Sequence, residues 1–365
     1  MNQFFSKINP GLIFLMVICL YTIKGFSQST PENLLLKDYR PVSIYKIPQS
    51  NIQKAKFPLI DMHSHAYPRD ASQIDQWVKN MDEVGIEKTI ILSGEIGAAF
   101  DSVYQAFAGK YPDRFDVWCG FDYSGFDKPG FGPAAVAELE RCFKVGARGV
   151  GELGDKGKGM FYCDTKAWGM HLDDPRMDAL LEKCAELNLP INIHVADPIW
   201  MYEKMDETND GLMNAYEWRL DNQPDIVGHS GMIDILGNAV KRHPNTIFIA
   251  CHFANCSHDL NRLGELLDKY PNLYVDNSAR YAETAPIPRF VAKFYQKYQD
   301  RIVYGTDMGF NNNMYRTTFR ILESLDEHFY AYEQFGYHWS LYGLGLGDDV
   351  LKKVYRENAL KIISR

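Results

Sequence analysis

Eight short apolar runs, rich in β-branched and aromatic residues, recur along this chain at intervals of about 30 residues, the length of one β-strand, helix and connection. They cover residues 59–62, 89–92, 115–121, 147–150, 190–195, 246–251, 273–275 and 301–304. The segments between several of them carry apolar residues at helical spacing and end on helix stops. Residues 75–84 run into Gly85, 134–145 into Gly146, 178–187 into Asn188-Leu189-Pro190, and 261–270 into Pro271. Continuously apolar strands alternating with amphipathic helices predict a parallel sheet buried on both faces. Eight such units closing on themselves give an α/β fold, the (β/α)8 TIM barrel. An open doubly wound sheet is the competing architecture, but no glycine-rich phosphate loop follows the first run. Two connections are long, after the fifth run (197–244) and after the eighth (from Met308), the latter ending in a helix near residues 348–363.

Ahead of the barrel the chain changes character. Residues 1–27 read as a signal peptide. Lys7 lies in a polar start, 11–23 is an apolar stretch too short to span a bilayer, and Gly25-Phe26-Ser27 places small residues before a cleavage point at Gln28. The expectation is an exported, periplasmic or secreted protein. Residues 28–56, polar and punctuated by Pro31, Pro41 and Pro48, read as an extended N-terminal arm, and 57–365 as the TIM-barrel domain. Removing the signal takes away Lys7 and Lys24 and no acid, which moves the net charge from −8 to −10. That excess argues against nucleic acid or an anionic membrane surface as partner. No stable membrane insertion is expected after cleavage, and homo-oligomerisation is left open. The six cysteines beyond the signal form no CxxC pair, so mostly buried free thiols are expected, with one disulfide left open.

Chemistry is expected where polar ligand residues meet the C-terminal ends of the barrel strands. Asp61-Met62-His63-Ser64-His65 closes the first run. Side chains alternate along a strand, so His63 and His65 share a face with Cα atoms about 6.7 Å apart, and both can reach one ion at about 2.0–2.1 Å. Glu152 follows the fourth run, His194 the fifth, His252 the sixth and Asp307 the eighth, so six such groups are predicted at one rim. His229 and His243 read as helix-end residues, and His171, His258, His328 and His338 have no strand-end placement.

These pieces, D-M-H-S-H, N-I-H-V, R-H-P-N-T-I-F-I-A-C-H, Y-P-N-L-Y-V-D, R-I-V-Y-G-T-D and Y-R-E-N-A-L-K-I, run in order from the first strand to the C-terminal helix. Together they resemble the amidohydrolase superfamily, in the amidohydrolase-related family that includes aminocarboxymuconate-semialdehyde decarboxylase. The resemblance implies that His63, His65, His194 and Asp307 ligate one divalent ion, usually Zn2+. It also implies that His252 hydrogen-bonds the ion's water and that Asp307 takes that water's proton. Related barrels with two ions use a bridging carboxylate or carboxylated lysine on the fourth strand. Glu152 is the residue on offer here, since Lys156 and Lys158 lie too far along. Its role is open between a second ion, support of the ligands, and substrate contact.

The sequence reading therefore favours a metal-dependent hydrolase that cleaves an ester, lactone or amide of a small-molecule substrate. Non-oxidative decarboxylation at the same site is the alternative, and a non-catalytic ligand-binding barrel the more remote one. Trp200 and Tyr162 are candidate ring-stacking residues, and Arg280 a candidate partner for a substrate anion.

Overall fold

The computed structural model describes residues 30–364. The signal-peptide reading of 1–27 lies outside the described residues. Residues 30–40 belong to one compact unit, and among them Leu36–Asp38 forms a 3-10 turn. The second unit begins at Pro41 and contains everything that follows. Its first stretch, 41–56, carries no helix or strand. Within that unit the Ser50 N–H donates to both carboxylate oxygens of Asp326 (3.0 and 2.9 Å), and Ser43 Oγ lies 3.1 Å from His328 Nδ1.

Ten strands follow in chain order: β1 (Leu59–Ser64), β2 (Ile86–Leu92), β3 (Phe115–Trp118), β4 (Val150–Asp155), β5 (Gly159–Met160), β6 (Ala167–Trp168), β7 (Ile191–Val195), β8 (Phe248–Ala250), β9 (Leu273–Asp276) and β10 (Ile302–Val303). β5 and β6 form an antiparallel hairpin outside the barrel. The other eight pair in parallel as β1-β2-β3 and β4-β7-β8-β9-β10. Backbone hydrogen bonds join the two sheets at both seams. Cys119 N–H donates to Gly149 O and Gly151 N–H to Cys119 O (3.1 and 2.8 Å), linking the end of β3 to β4. Met62 N–H donates to Tyr304 O (2.9 Å) and Asp307 N–H to His63 O (3.0 Å), linking β10 to β1. The buried Asp61 reinforces that second seam, accepting from Thr306 N–H at 3.0 Å and Thr306 Oγ1 at 2.6 Å. The eight-stranded ring is thereby closed.

The helices form where the sequence pattern requires them. In Ala71–Val84, Asp70 caps the N-terminus by accepting from Gln73 N–H, and Gly85 (φ 88°) closes the C-terminus with an N–H to Met81 O. Ile74, Trp77, Met81 and Val84 recur on one face and are buried against the barrel. Each such side chain contributes roughly 1.5–3 kcal/mol by leaving water. Both long connections carry structure of their own, including the helices His229–Arg242 and Asn312–Glu323. Among the described residues no helix is long and apolar enough to cross a membrane. All six cysteines beyond residue 27 are free thiols, and five of them are buried.

Strand four departs most from the sequence reading. It runs over Val150–Asp155 and does not stop at Val150, so Glu152 lies inside the strand. Glycines obscured it. A Cβ on Gly149 would meet the Trp118 ring at 2.3 Å and one on Gly154 the Tyr162 ring at 2.3 Å. These positions need glycine for close approach of an aromatic ring, whereas in sequence they look like a break.

Candidate metal centre

Barrel closure brings His63, His65, Glu152, His194, His252 and Asp307 together at the C-terminal rim. The chain reverses sharply after β8 to achieve this. His252, Phe253, Ala254 and Asn255 all hold left-handed φ values between 50° and 59°, a conformation costing roughly 1–2 kcal/mol per residue. Asn255 holds the turn by donating its amide to Val195 O and Ala196 O at 2.9 and 3.2 Å.

Three rings are anchored alike. Nδ1 of His63 faces Asp276 Oδ2 at 2.9 Å, that of His65 faces Leu92 O at 2.9 Å, and that of His252 faces Ser278 O at 2.9 Å. Carbonyl and carboxylate oxygens only accept, so Nδ1 carries the proton in each ring and the Nε2 lone pair is left for the centre. His194 is turned the other way. Its Nε2 faces Asp197 Oδ1 at 2.9 Å, and Asp197 Oδ2 lies 2.8 Å from Lys156 Nζ. His194 Nδ1 therefore faces inward, 3.0 Å from Glu152 Oε1.

Two carboxylates sit among these nitrogens. Glu152 Oε1 lies 3.4 Å from His252 Nε2 and 3.8 Å from His63 Nε2, and Oε2 lies 3.4 Å from His65 Nε2. Asp307 Oδ1 lies 3.0 Å from His65 Nε2 and 3.6 Å from His63 Nε2, and it accepts from Tyr67 Oη at 3.2 Å. Burial opposes ionisation of both acids, but the surrounding imidazoles override it and hold both well below the usual carboxylate range. Asp276 is held at about 2 in the same way, burial being outweighed by His63 and the hydrogen bonds around it. Conversely, burial disfavours a charged His63 ring, yet Asp276, Asp307 and Glu152 raise it to about 10. The site is built around positive charge.

A divalent cation fits this arrangement on a specific observation. His63 is fully buried, and its Nε2 has no hydrogen-bond partner. Without an ion that nitrogen holds a proton at neutral pH, since against burial the surrounding carboxylates raise the ring to about 10. A buried polar group left without a partner costs roughly 1–3 kcal/mol. A divalent cation that displaces the proton removes that cost by taking the lone pair. His63, His65 and Asp307 offer donor atoms within 4.8 Å of one another, and so do His63, Glu152, Cys251 and His252. Imidazole and carboxylate donors suit zinc or manganese.

A cavity of about 430 Å³ opens over the centre, lined by His65, Glu152, His194 and Asp307, by the Leu92–Glu95 segment, and by Tyr162, Cys163 and Asp164. Of the three expected substrate residues, Tyr162 lines it, edge-on to His194 at 5.8 Å between ring centroids. Trp200 does not; it packs on Tyr337 and Trp339 at 6.1 and 5.8 Å. Arg280 does not line it either. Its Nε donates to Asn255 Oδ1 at 2.9 Å and its Nη1 lies 3.5 Å from Glu283, so the protein itself meets the charge that was assigned to a substrate anion. His229 and His243 sit at the two ends of one helix as expected. Asp276, Ser278, Asp197 and Cys251 were missed as parts of the centre. The one available signal was Asp276 closing Y-P-N-L-Y-V-D at a strand end.

The family model described as Amidohydrolase matches residues 60–365. No curated protein matches the chain. Among solved structures, an uncharacterised TIM-barrel protein from Bordetella bronchiseptica aligns at 16% identity over 84% of this chain and 99% of its own, with a TM-score of 0.54. The 2,6-dihydroxybenzoate decarboxylase from Rhizobium aligns at 16% identity over 84% and 98%, TM-score 0.52. The 5-carboxyvanillate decarboxylase from Novosphingobium aromaticivorans, complexed with manganese and 4-hydroxy-3-methoxy-5-nitrobenzoic acid, aligns at 15% over 87% and 100%, TM-score 0.51. At these identities the likeness establishes the TIM-barrel fold.

Proposed function

The chain belongs to the amidohydrolase family, and from that premise we propose that it is a metal-dependent carboxy-lyase, removing CO2 without oxidation from a small carboxylated aromatic compound. The observation that carries the metal dependence is the buried, partnerless Nε2 of His63 among inward-facing imidazoles and two ionised carboxylates. The choice of decarboxylation over the hydrolysis expected from the sequence draws on the fold neighbours that act on dihydroxybenzoate and carboxyvanillate. A cavity of about 430 Å³ accommodates one substituted ring, and Tyr162 offers it an aromatic wall.

In this reading His63, His65, His194 and Asp307 would hold one ion, zinc or manganese, with Glu152 beside them. When bound, such an ion would supply Lewis acidity to the site. The remaining work belongs to the chain. The bond to the carboxyl carbon breaks, its electron pair stays on the ring carbon, CO2 departs, and a proton takes its place. Asp307 faces the cavity with Tyr67 steering its Oδ1, and His252 Nε2 lies 3.7 Å from its Oδ2. Asp307, ionised at rest, is thus the group placed to pass a proton from solvent to that carbon, and His252 the group placed to support it.

Hydrolysis remains as a second reading on one observation. The cavity lining contains no Lys or Arg and adds Glu95 and Asp164 to the acids of the centre, a setting that suits an uncharged ester, lactone or amide. The test is to load chelator-stripped protein with zinc or manganese and assay CO2 release from hydroxybenzoates beside hydrolysis of lactones and amides. Metal-dependent CO2 release is the expected result. Hydrolysis without CO2 release from any carboxylated phenol would overturn the primary reading.

A further inference from the structure

Two sets of donor atoms overlap at His63. The shallower one, with His65 and Asp307, belongs to the centre already assigned. The deeper one comprises His63, Glu152, Cys251 and His252, all buried, with donor atoms within 4.8 Å of one another. Nothing in the proposed reaction uses Cys251. Its Sγ lies 3.2 Å from Glu152 Oε1, which is itself 3.4 Å from His252 Nε2 and 3.8 Å from His63 Nε2. Donors around a tetrahedral ion bonded at about 2.0–2.3 Å stand roughly 3.3–3.8 Å apart. The two imidazole separations from Glu152 Oε1 lie in that range, the thiol's is just below it, and the remaining pairs lie within 4.8 Å. The fully buried Nε2 of His63, without a hydrogen-bond partner, is common to both sets and faces them both.

The geometry points to a second, deeper cation seat built by Glu152, Cys251, His252 and His63, which takes thiophilic divalent ions such as zinc and cobalt in preference to manganese. The sulfur is what separates the two seats chemically. Imidazole and carboxylate serve zinc, cobalt and manganese, whereas a thiolate favours the softer ions. Without a cation the thiol keeps its proton and donates to Glu152 Oε1. On ligation the S–H bond breaks, the sulfur's electron pair goes to the ion, and the thiol's proton leaves for the buffer. His63 has one free lone pair, so the two seats compete for it. A soft ion in the deep seat takes His63 from the shallow set, and manganese leaves it there. The inference concerns this chain's metal preference and holds whether the reaction is decarboxylation or hydrolysis.

The test is spectroscopic. Chelator-stripped full-length protein is titrated with cobalt(II), and the near-ultraviolet sulfur-to-cobalt charge-transfer band is recorded. The band is expected in the unsubstituted protein. It should vanish in Cys251→Ser, which preserves the shape and a donor toward Glu152, and persist in His65→Ala, since His65 belongs only to the shallow set. Zinc affinity in Cys251→Ser should fall by more than about tenfold, the loss seen when only a supporting residue is removed, with manganese affinity unchanged. Cobalt bound to the unsubstituted protein with no such band overturns the proposal whether or not either variant folds. Survival of the band in folded Cys251→Ser overturns it too.

Discussion

Asp276→Asn tests whether the centre depends on the carboxylate behind His63. Asp276 is fully buried and accepts on both oxygens. Oδ2 receives His63 Nδ1 at 2.9 Å and Asn192 Nδ2 at 3.1 Å. Oδ1 receives His252 N at 3.0 Å, Ser278 N at 3.1 Å and Ser278 Oγ at 2.6 Å. An amide has one NH2 group, and every neighbour here is a donor, so either orientation sets donor against donor. The less damaging choice places NH2 at the Oδ2 position and loses two bonds. Bonds to a charged acceptor are worth about 1.5–3 kcal/mol each, so the combined penalty is about 3–6 kcal/mol. Part appears as lost stability. The rest appears at the metal, because His63 without its acceptor is free to move its proton to Nε2 and withdraw the lone pair. Loss of such a supporting carboxylate typically weakens metal binding about 10–100-fold. Competition with a chromogenic chelator measures the affinity, and urea unfolding of the metal-free protein measures the stability. A variant that binds zinc and manganese as tightly as the unsubstituted protein would refute the reasoning.

Three further outcomes are expected. Trp77→Ala empties a fully buried site beneath the Ala71–Val84 helix and strips the partner of Tyr315 Oη (2.9 Å). It should cost about 3–5 kcal/mol in urea unfolding with metal affinity unchanged, and a loss below about 1 kcal/mol would contradict the packing argument. Gly154→Ala drives a Cβ into the Tyr162 ring, 2.3 Å away, and so displaces one wall of the cavity; KM should rise with metal stoichiometry intact, and an unaltered KM would remove Tyr162 from the substrate site. The hydrogen bond from His171 Nδ1 to Asp155 (2.7 Å) raises the histidine above its ordinary value, against the opposing effect of burial. A raised native pKa stabilises fully below the unfolded value of about 6.5 and ceases to do so as pH climbs through the native one. The urea midpoint should therefore fall between neutral and alkaline pH, and His171→Gln should flatten that slope; an identical slope in the variant would disprove the linkage.

The layout of the barrel was legible in the chain because its signals are local. Apolar runs, helical spacing and stops such as Gly85 and Gly146 act within a few residues, and the strand-end histidines follow from the period of two along a strand. Strand four was misread because Gly149 and Gly154 mean close approach to Trp118 and Tyr162, and those rings are distant in sequence. The same physics limits the reading of the centre. The residue types of the candidate centre were visible, but not the orientation of each ring. Which nitrogen of His63 faces inward is decided by Asp276, 213 positions away, and which nitrogen of His194 does so by Asp197 and its lysine partner. Arg280 and Trp200 illustrate the reverse. Their chemistry suggested a ligand, and the fold supplied Asn255, Glu283 and two aromatic rings in its place. Side-chain identity and strand position are properties of the sequence. Hydrogen-bond partners across a closed barrel exist only once its two seams have formed, and those partners determine where the lone pairs point.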